Sequence, residues 1–272
     1  MKILVLGSSG MLGHKMVERL RLQYENVIGF SRENGLDVRD LIRTENMLRL
    51  AQPTVIINCV GVVKQREQNP EELIAVNALL PHVLQRVSLD IGSCFIHFST
   101  DCVFSGKLGN YTHFDTPDPI DLYGRSKFLG EPVYSENTLV LRTSIVGREK
   151  SNYHGLLEWF LRQKGKVQGY ENSIFSGVTT NWLSDVVGTL LTKKDMTGRW
   201  HVASAPISKL SLLQLFKEVY DRKDIEIVPT QCFPCDRSLD GDQFEQASNI
   251  VTPNWIDMLT TQYEQDKGNY AL

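Results

Sequence analysis

The segment Gly7-Ser8-Ser9-Gly10-Met11-Leu12-Gly13 constrains the fold most, because it joins the apolar run Lys2–Leu6 to a helix-spaced stretch. Strand, glycine turn and helix in that order make the opening of a mononucleotide-binding βαβ unit. Gly7 permits the tight turn, Gly10 lets backbone approach a pyrophosphate, and Gly13 lets helix and strand pack closely. The helix then turns unpaired N–H groups and the positive end of its dipole toward the phosphates. A dinucleotide is expected on this loop, with Ser9, Met11 and Leu12 completing it.

The alternation continues downstream. Residues 11–22 carry apolar side chains at helical spacing. Residues 26–30 read as a strand, 40–50 as a helix and 54–58 as a third strand. Residues 71–89 read as a long helix that Pro81 kinks or splits. Residues 94–98 read as a fourth strand, 123–131 as the start of a helix, and 139–141 as the start of another strand. The fold class expected is α/β, a Rossmann-type doubly wound parallel sheet with helices on both faces. The second half is less regular. Helices are expected at 153–163, 181–191 (capped by Asn181 or Ser184) and 208–220, with strands at 200–203 and 225–228. The pattern weakens over 231–272. With no Gly/Ser linker in view, the expected division is a NAD(P)-binding domain over 1–147 and a smaller α/β substrate lobe over 148–272, partly interleaved with it.

Composition narrows the class. A 272-residue chain with 42% hydrophobic and 22% charged residues is globular, not disordered, collagenous or coiled-coil. The net charge of −3 offers no chain-wide footprint for nucleic acid. No apolar run reaches the ~20 residues of a membrane span, and the N-terminal one is too short for a signal peptide. Five cysteines suit reduced thiols better than a disulfide framework, so a cytoplasmic location is expected. Cys232 and Cys235 form a CxxC with no second ligand pair nearby. His97, His113, His154 and His201 lack metal-ligand spacing. No catalytic metal is expected, and His97 reads as a satisfied core histidine.

The end of the second strand selects the dinucleotide. An acid there would accept a ribose 2′-hydroxyl, whereas arginine suits a 2′-phosphate. Ser31 and Arg32 occupy that place, which favours NADP(H), while Glu33 keeps NAD(H) open. Ser99-Thr100-Asp101 follows the fourth strand at the edge where ligands bind in such sheets. Tyr123-Gly124-Arg125-Ser126-Lys127 is YxxxK, and on a helix i and i+4 share a face. A neighbouring ammonium favours the phenolate, so Lys127 is expected to lower the tyrosine pKa. Thr100 would hold a carbonyl against Tyr123, giving general acid–base catalysis joined to hydride transfer.

Together these residues resemble the extended short-chain dehydrogenase/reductases. Ser99 to Gly106, Tyr123 to Glu131, Leu141 to Ser144 and Asn77 are similar to the signatures of the dTDP-4-dehydrorhamnose reductase family, over roughly residues 1–220. The resemblance implies NAD(P)H-dependent reduction of a keto group on a nucleotide-linked deoxysugar, in deoxysugar or cell-surface polysaccharide biosynthesis. It implies Tyr123 as proton donor, Lys127 on the nicotinamide ribose and Thr100 on the carbonyl oxygen. It places Asp37 and Val38 near the adenine, and Asn58, Cys59 and Val60 behind the diphosphate and ribose, with Gly61 also among the cofactor residues. Asn77 joins the cofactor residues. Cys102 stands where that family usually has a tyrosine facing substrate, and Ile145 where it usually has tryptophan.

Substrate candidates by position are Lys64, Thr100, Asp101, Cys102, Val103 and Trp182. Trp182 also reads as core packing, Phe104 and Phe114 as packing, and Arg142 as an ion-pair partner or a substrate contact. The helix start at 179–182 is a candidate phosphate receiver. The helices at 71–89 and 123–131 offer a face for a homodimer. Two readings stand beside the reductase: an epimerase or dehydratase of the same superfamily, and a non-catalytic NADP-binding regulatory subunit.

Overall fold

The computed structural model describes residues 1–63, 69–132, 135–151, 153–193 and 196–270. The first half runs β1 (Lys2–Leu6), α1 (Met11–Arg21), β2 (Asn26–Phe30), α2 (Leu41–Ala51), β3 (Val55–Asn58), α3 (Pro70–Leu73), α4 (Leu80–Asp90), β4 (Cys94–Thr100), α5 (Leu122–Leu129) and β5 (Thr138–Thr143). The second half adds β6 (Ile145–Val146), α6 (Leu156–Leu161), β7 (Gly165–Tyr170), β8 (Ser173–Phe175), β9 (Val178–Thr179), α7 (Thr180–Leu190) and β10 (Gly198–His201). It ends with β11 (Ile207–Ser208), α8 (Lys209–Val219), β12 (Ile225–Thr230), β13 (Cys235–Asp236), α9 (Asp242–Ser248) and α10 (Trp255–Asp266).

Six parallel strands form the central sheet in the order β2-β1-β3-β4-β5-β10. Strand residues alternate between two apolar cores, as a sheet covered on both faces requires. Ile3 and Val5 join Met16 of α1 and Leu183 and Val187 of α7, whereas Leu4 and Leu6 join Leu48 of α2 and Leu80 and Leu84 of α4. Strand order reverses at β1, which has β2 on one side and β3 on the other. A crevice therefore opens beyond the carboxyl ends of β1 and β3. β10 comes from the second half of the chain and extends the sheet beside β5, with Trp200 opposite Leu141. The rest of the second half forms a three-stranded sheet in the order β11-β8-β13 and the pairs β12-β7 and β6-β9.

Several boundaries differ from the sequence reading for physical reasons. The helix expected over 71–89 is broken upstream of Pro81, by a π-helical segment at Ile74–Leu79 between α3 and α4. Pro81 has no N–H for the carbonyl of Asn77, and Leu80 N–H bonds instead to Ala75. The helix expected over 153–163 is shorter, starting after Gly155, and Tyr153 holds φ 50°. α7 is capped neither by Asn181 nor by Ser184: Thr179 accepts from Trp182 N–H. Asn181 instead donates to Gln265 at 2.8 Å, and Ser184 donates back to the Thr180 carbonyl at 2.7 Å. The weakly patterned tail holds α9 and α10, where Asp266 pairs at 2.6 Å with the fully buried Lys15. Among the described residues no helix is long and apolar enough to cross a membrane.

Candidate functional site

The crevice at the strand-order reversal is an open cleft. Gly7, Ser9 and Gly10 line it below, Ser31, Arg32, Asp37 and Val38 on the side of β2, and Cys59, Val60 and Gly61 on the side of β3. Met11, Leu12 and Gly13 lie outside the lining, within α1. Leu12 is core, and a Cβ on Gly13 would sit 2.0 Å from the Gly7 carbonyl. Gly7 itself has φ +80°, which only glycine adopts freely. Gly13→Ala should therefore push α1 off the loop and abolish tight dinucleotide binding, measured by cofactor fluorescence titration. Unchanged affinity would contradict that packing role.

Sequence reasoning missed part of the lining: Phe30, Leu36, Arg39, Val62, Glu72 and Val76. Arg39 pairs with Asp37 at 2.5 Å and reaches Glu72 of α3 at 3.6 Å, joining two walls of the cleft. Its hydrogen bonds hold the Asp37 carboxyl down at about 2. Neither residue belongs to a glycine or YxxxK motif, so no local signal marks them. Asn77 works from behind the wall. Its amide brackets Val62, accepting from its N–H at 2.8 Å and donating to its carbonyl at 2.9 Å, and also reaches Ser126 of α5 at 3.2 Å.

The second group gathers where β4 meets α5. Asp121 caps α5 by accepting from Gly124 N–H at 2.8 Å. A Cβ on Gly124 would come within 2.2 Å of the Cys102 carbonyl, so glycine lets α5 close onto the end of β4. Tyr123 thereby hydrogen-bonds with Thr100. Thr100 Oγ1 also donates to Asp101 at 3.0 Å and accepts from Cys102 N–H at 3.1 Å. Lys127 is buried, with Nζ donating to the Phe98 carbonyl at 2.6 Å.

The expected lowering of the Tyr123 pKa by Lys127 is not what the structure gives. Burial pushes the phenol well above its usual value, and the Thr100 hydrogen bond opposes this only in part. The ammonium of Lys127 is turned to Phe98 instead, and burial brings its own pKa down to about 8. This has a consequence for stability. The unfolded chain keeps the lysine proton up to about 10.5 and the folded chain releases it above about 8. Stability should therefore rise with pH through that window, the burial cost being fully present below it. Urea denaturation of the cofactor-free chain and of Lys127→Met, at about pH 7 and about pH 10, checks this. The variant's advantage should shrink at the higher pH; an advantage that does not change would contradict it.

The substrate candidates separate. Asp101 and Val103 are buried beside Thr100, and Cys102 is partly buried. Lys64 lies outside the described residues. Trp182 packs against the larger core. The start of α7 cannot receive a phosphate as the sequence suggested: Asn181 is sealed beneath α10, bonded to Gln265 and Asp266. Arg142 is an ion-pair partner, held by Glu131 with Nε and Nη2 each at 2.7 Å. Phe104 is core, but Phe114 is 79% exposed and does not pack as expected. His97 is buried and only half satisfied: Nδ1 bonds Asn58 at 3.1 Å, while Nε2 has no partner among the described residues. Cys232 is exposed and both CxxC thiols are free, and no cluster of metal-ligating side chains gathers among the described residues.

The cleft suits a dinucleotide. Its glycine cradle admits backbone but no Cβ at Gly13, α1 begins at Gly10 with no side-chain cap, and Arg32 and Arg39 stand at one end. A pair of hydroxyls such as Thr100 and Tyr123 has the chemistry to polarise a carbonyl and protonate its oxygen.

Comparison with known proteins gives a consistent picture. The family described as RmlD substrate binding domain matches residues 1–266. A probable low-salt glycan biosynthesis reductase of Haloferax volcanii is 33% identical over 220 residues, 74% of this chain and 73% of that protein. The dTDP-4-dehydrorhamnose reductase of Escherichia coli is 26% identical over 283 residues, 94% of each chain. The crystal structure of dTDP-4-dehydrorhamnose reductase from Bacillus anthracis, in complex with NADP, superposes with a TM-score of 0.86. It is 21% identical and covers 97% of this chain and 100% of that one.

Proposed function

Because the chain belongs to the RmlD substrate binding domain family, we propose that it is an NADPH-dependent reductase of a nucleotide-linked keto-deoxysugar, acting in deoxysugar or polysaccharide biosynthesis. One observation carries the reading. The Thr100–Tyr123 hydroxyl pair stands at the carboxyl edge of the sheet that also ends in the dinucleotide cleft. The named activity of relatives covering most of the chain supports it.

The loop Gly7 to Gly10 would hold the cofactor diphosphate on the start of α1, Asp37 and Val38 would flank the adenosine, and Arg32 would meet the 2′-phosphate. When bound, the cofactor supplies the hydride that reduces the sugar carbonyl. Thr100 orients the carbonyl oxygen, and Tyr123 gives that oxygen its proton. A phenol held protonated by burial is in the correct state for this. Lys127 would hold the nicotinamide ribose with the ammonium donors that its bond to the Phe98 carbonyl leaves over.

NADPH oxidation with dTDP- and UDP-linked 4-keto-6-deoxyhexoses tests the reading, and tight NADPH binding without turnover on any of them would defeat it. The cofactor preference has its own test. Arg32→Asp should weaken NADPH by about 10- to 100-fold, the worth of a charged hydrogen bond, and NADH far less. Equal losses for the two would remove Arg32 from the 2′-phosphate.

A further inference from the structure

Two cations meet the substrate side of the site from the second half of the chain. Lys209 follows β11 and Arg237 follows β13, the two strands that flank β8 in the small sheet. Arg237 Nε donates to the Phe104 carbonyl at 3.0 Å, and Nη1 donates to Cys102 Sγ at 3.3 Å. The guanidinium is thus anchored two residues from Thr100. Lys209 lies with its ammonium 4.2 Å from the centre of the Phe175 ring on β8. Asp101, Cys102 and Arg237 are within its electrostatic reach.

Neither cation is held in a close ion pair, although the Asp101 carboxylate acts on both from a distance and Asp121 on Arg237. Among the described residues no carboxylate forms an ion pair with either, and Arg237 Nη2 makes no hydrogen bond. Asp101 Oδ1 is already taken by Thr100. Burial pushes the Cys102 thiol up to about 12, so it is a neutral acceptor and cancels no charge. Two partly buried, like-charged groups with no carboxylate in direct contact are costly to hold together, and a bound anion would offset that cost. Arginine's planar fork matches a phosphate or carboxylate.

We propose that Arg237 and Lys209 form an oxyanion subsite of the substrate site, taking the diphosphate that joins nucleoside to sugar. The proposal rests on the reading of the substrate as a nucleotide sugar. A carboxylate carried on the sugar itself offers the same chemistry, and the test distinguishes the two. Cys102 has a part in it: a small side chain there leaves the guanidinium room to lie against β4's end.

The test is calorimetric titration of the full chain, with NADP present, by dTDP, UDP and inorganic pyrophosphate. Wild type is compared with Arg237→Gln, Arg237→Lys and Lys209→Gln. Gln at 237 keeps a donor for the Phe104 carbonyl, and among the described residues Lys209 makes no side-chain hydrogen bond, only its contact with the Phe175 ring. Unchanged NADP affinity shows that each variant is intact. Arg237→Gln and Lys209→Gln should each weaken the nucleoside diphosphates by about tenfold or more, and Arg237→Lys should recover part of the loss. If nucleoside diphosphates bind all chains equally but the KM for a nucleotide-linked keto-uronate rises in the variants, the subsite stands and the anion is on the sugar. Equal nucleoside diphosphate affinity together with an unchanged KM overturns it, as does a wild-type chain that binds neither ligand. Arginine-dependent nucleotide binding without NADPH oxidation on any keto-sugar would sink the reductase and keep the subsite.

Discussion

Replacing Tyr123 with phenylalanine is expected to lower turnover by about two to four orders of magnitude, the usual contribution of a positioned acid. Affinity for NADP(H) should stay close to that of wild type. The ring already packs beside the smaller core, so the substitution removes one oxygen and little apolar contact. Thr100 keeps its bonds to Asp101 and to Cys102 N–H, and the end of β4 keeps its shape. What disappears is the group able to protonate the carbonyl oxygen. Single-turnover kinetics beside a cofactor titration separate chemistry from binding. Turnover within a few-fold of wild type would remove Tyr123 as proton donor. Affinity lost along with turnover would make it a structural residue.

Removing the carboxylate of Glu131 should be as damaging to the fold as Tyr123→Phe is to turnover. Glu131 follows α5 and is almost fully buried. It binds Arg142 through two hydrogen bonds, accepts from Ser99 Oγ at 2.7 Å and meets Arg199 at 3.1 Å. Burial alone would push its carboxyl up, yet the Arg142 hydrogen bonds hold it below the ordinary range. Arg142 is fully buried, with its guanidinium 5.2 Å from the centre of the Phe104 ring. Glu131→Ala should cost about 3–5 kcal/mol, because it leaves a buried guanidinium uncompensated. The double variant Glu131→Met, Arg142→Leu should be more stable than Glu131→Ala, since the fully buried lone charge is gone and the remaining partner, Arg199, is partly exposed to solvent. Urea denaturation of the three chains decides it; a single-variant loss below about 1 kcal/mol would mean the network is solvated.

The parts of the site that sequence reveals are those whose residues are neighbours along the chain. Gly7 to Gly13 carry their geometry locally, and so does Tyr123 to Lys127. Thr100 was readable because a strand end followed by a polar triplet marks the ligand edge of a parallel sheet. Arg39 and Glu72 were not readable, because their place in the cleft depends on α3 coming to rest beside the segment after β2. The cap of α7 was misplaced by two or five residues because threonine, asparagine and serine all stand near its start, and only tertiary partners assign them. Asn181 was taken by α10, an element with too many polar residues for its periodicity to show. Asp266 and Gln262 are buried there because Lys15 and α7 meet them, which no local pattern encodes. Arg237 and Lys209 lie in a small sheet whose strands are two or three residues long and leave little periodic trace.

The sixth strand of the central sheet also governs the order in which the chain can mature. β5, with the fully buried Arg142, is an outer strand until residues 198–201 arrive beside it. A ribosome that has released only the first half of the polypeptide has therefore produced an open hydrogen-bonding edge and an unfinished apolar face, the features that invite nascent chains to aggregate. The half that carries the glycine loop does not close its sheet as an early folding unit. It waits for roughly fifty further residues to emerge, and this long-range closure, more than the glycine loop, sets how late in synthesis the protein becomes competent.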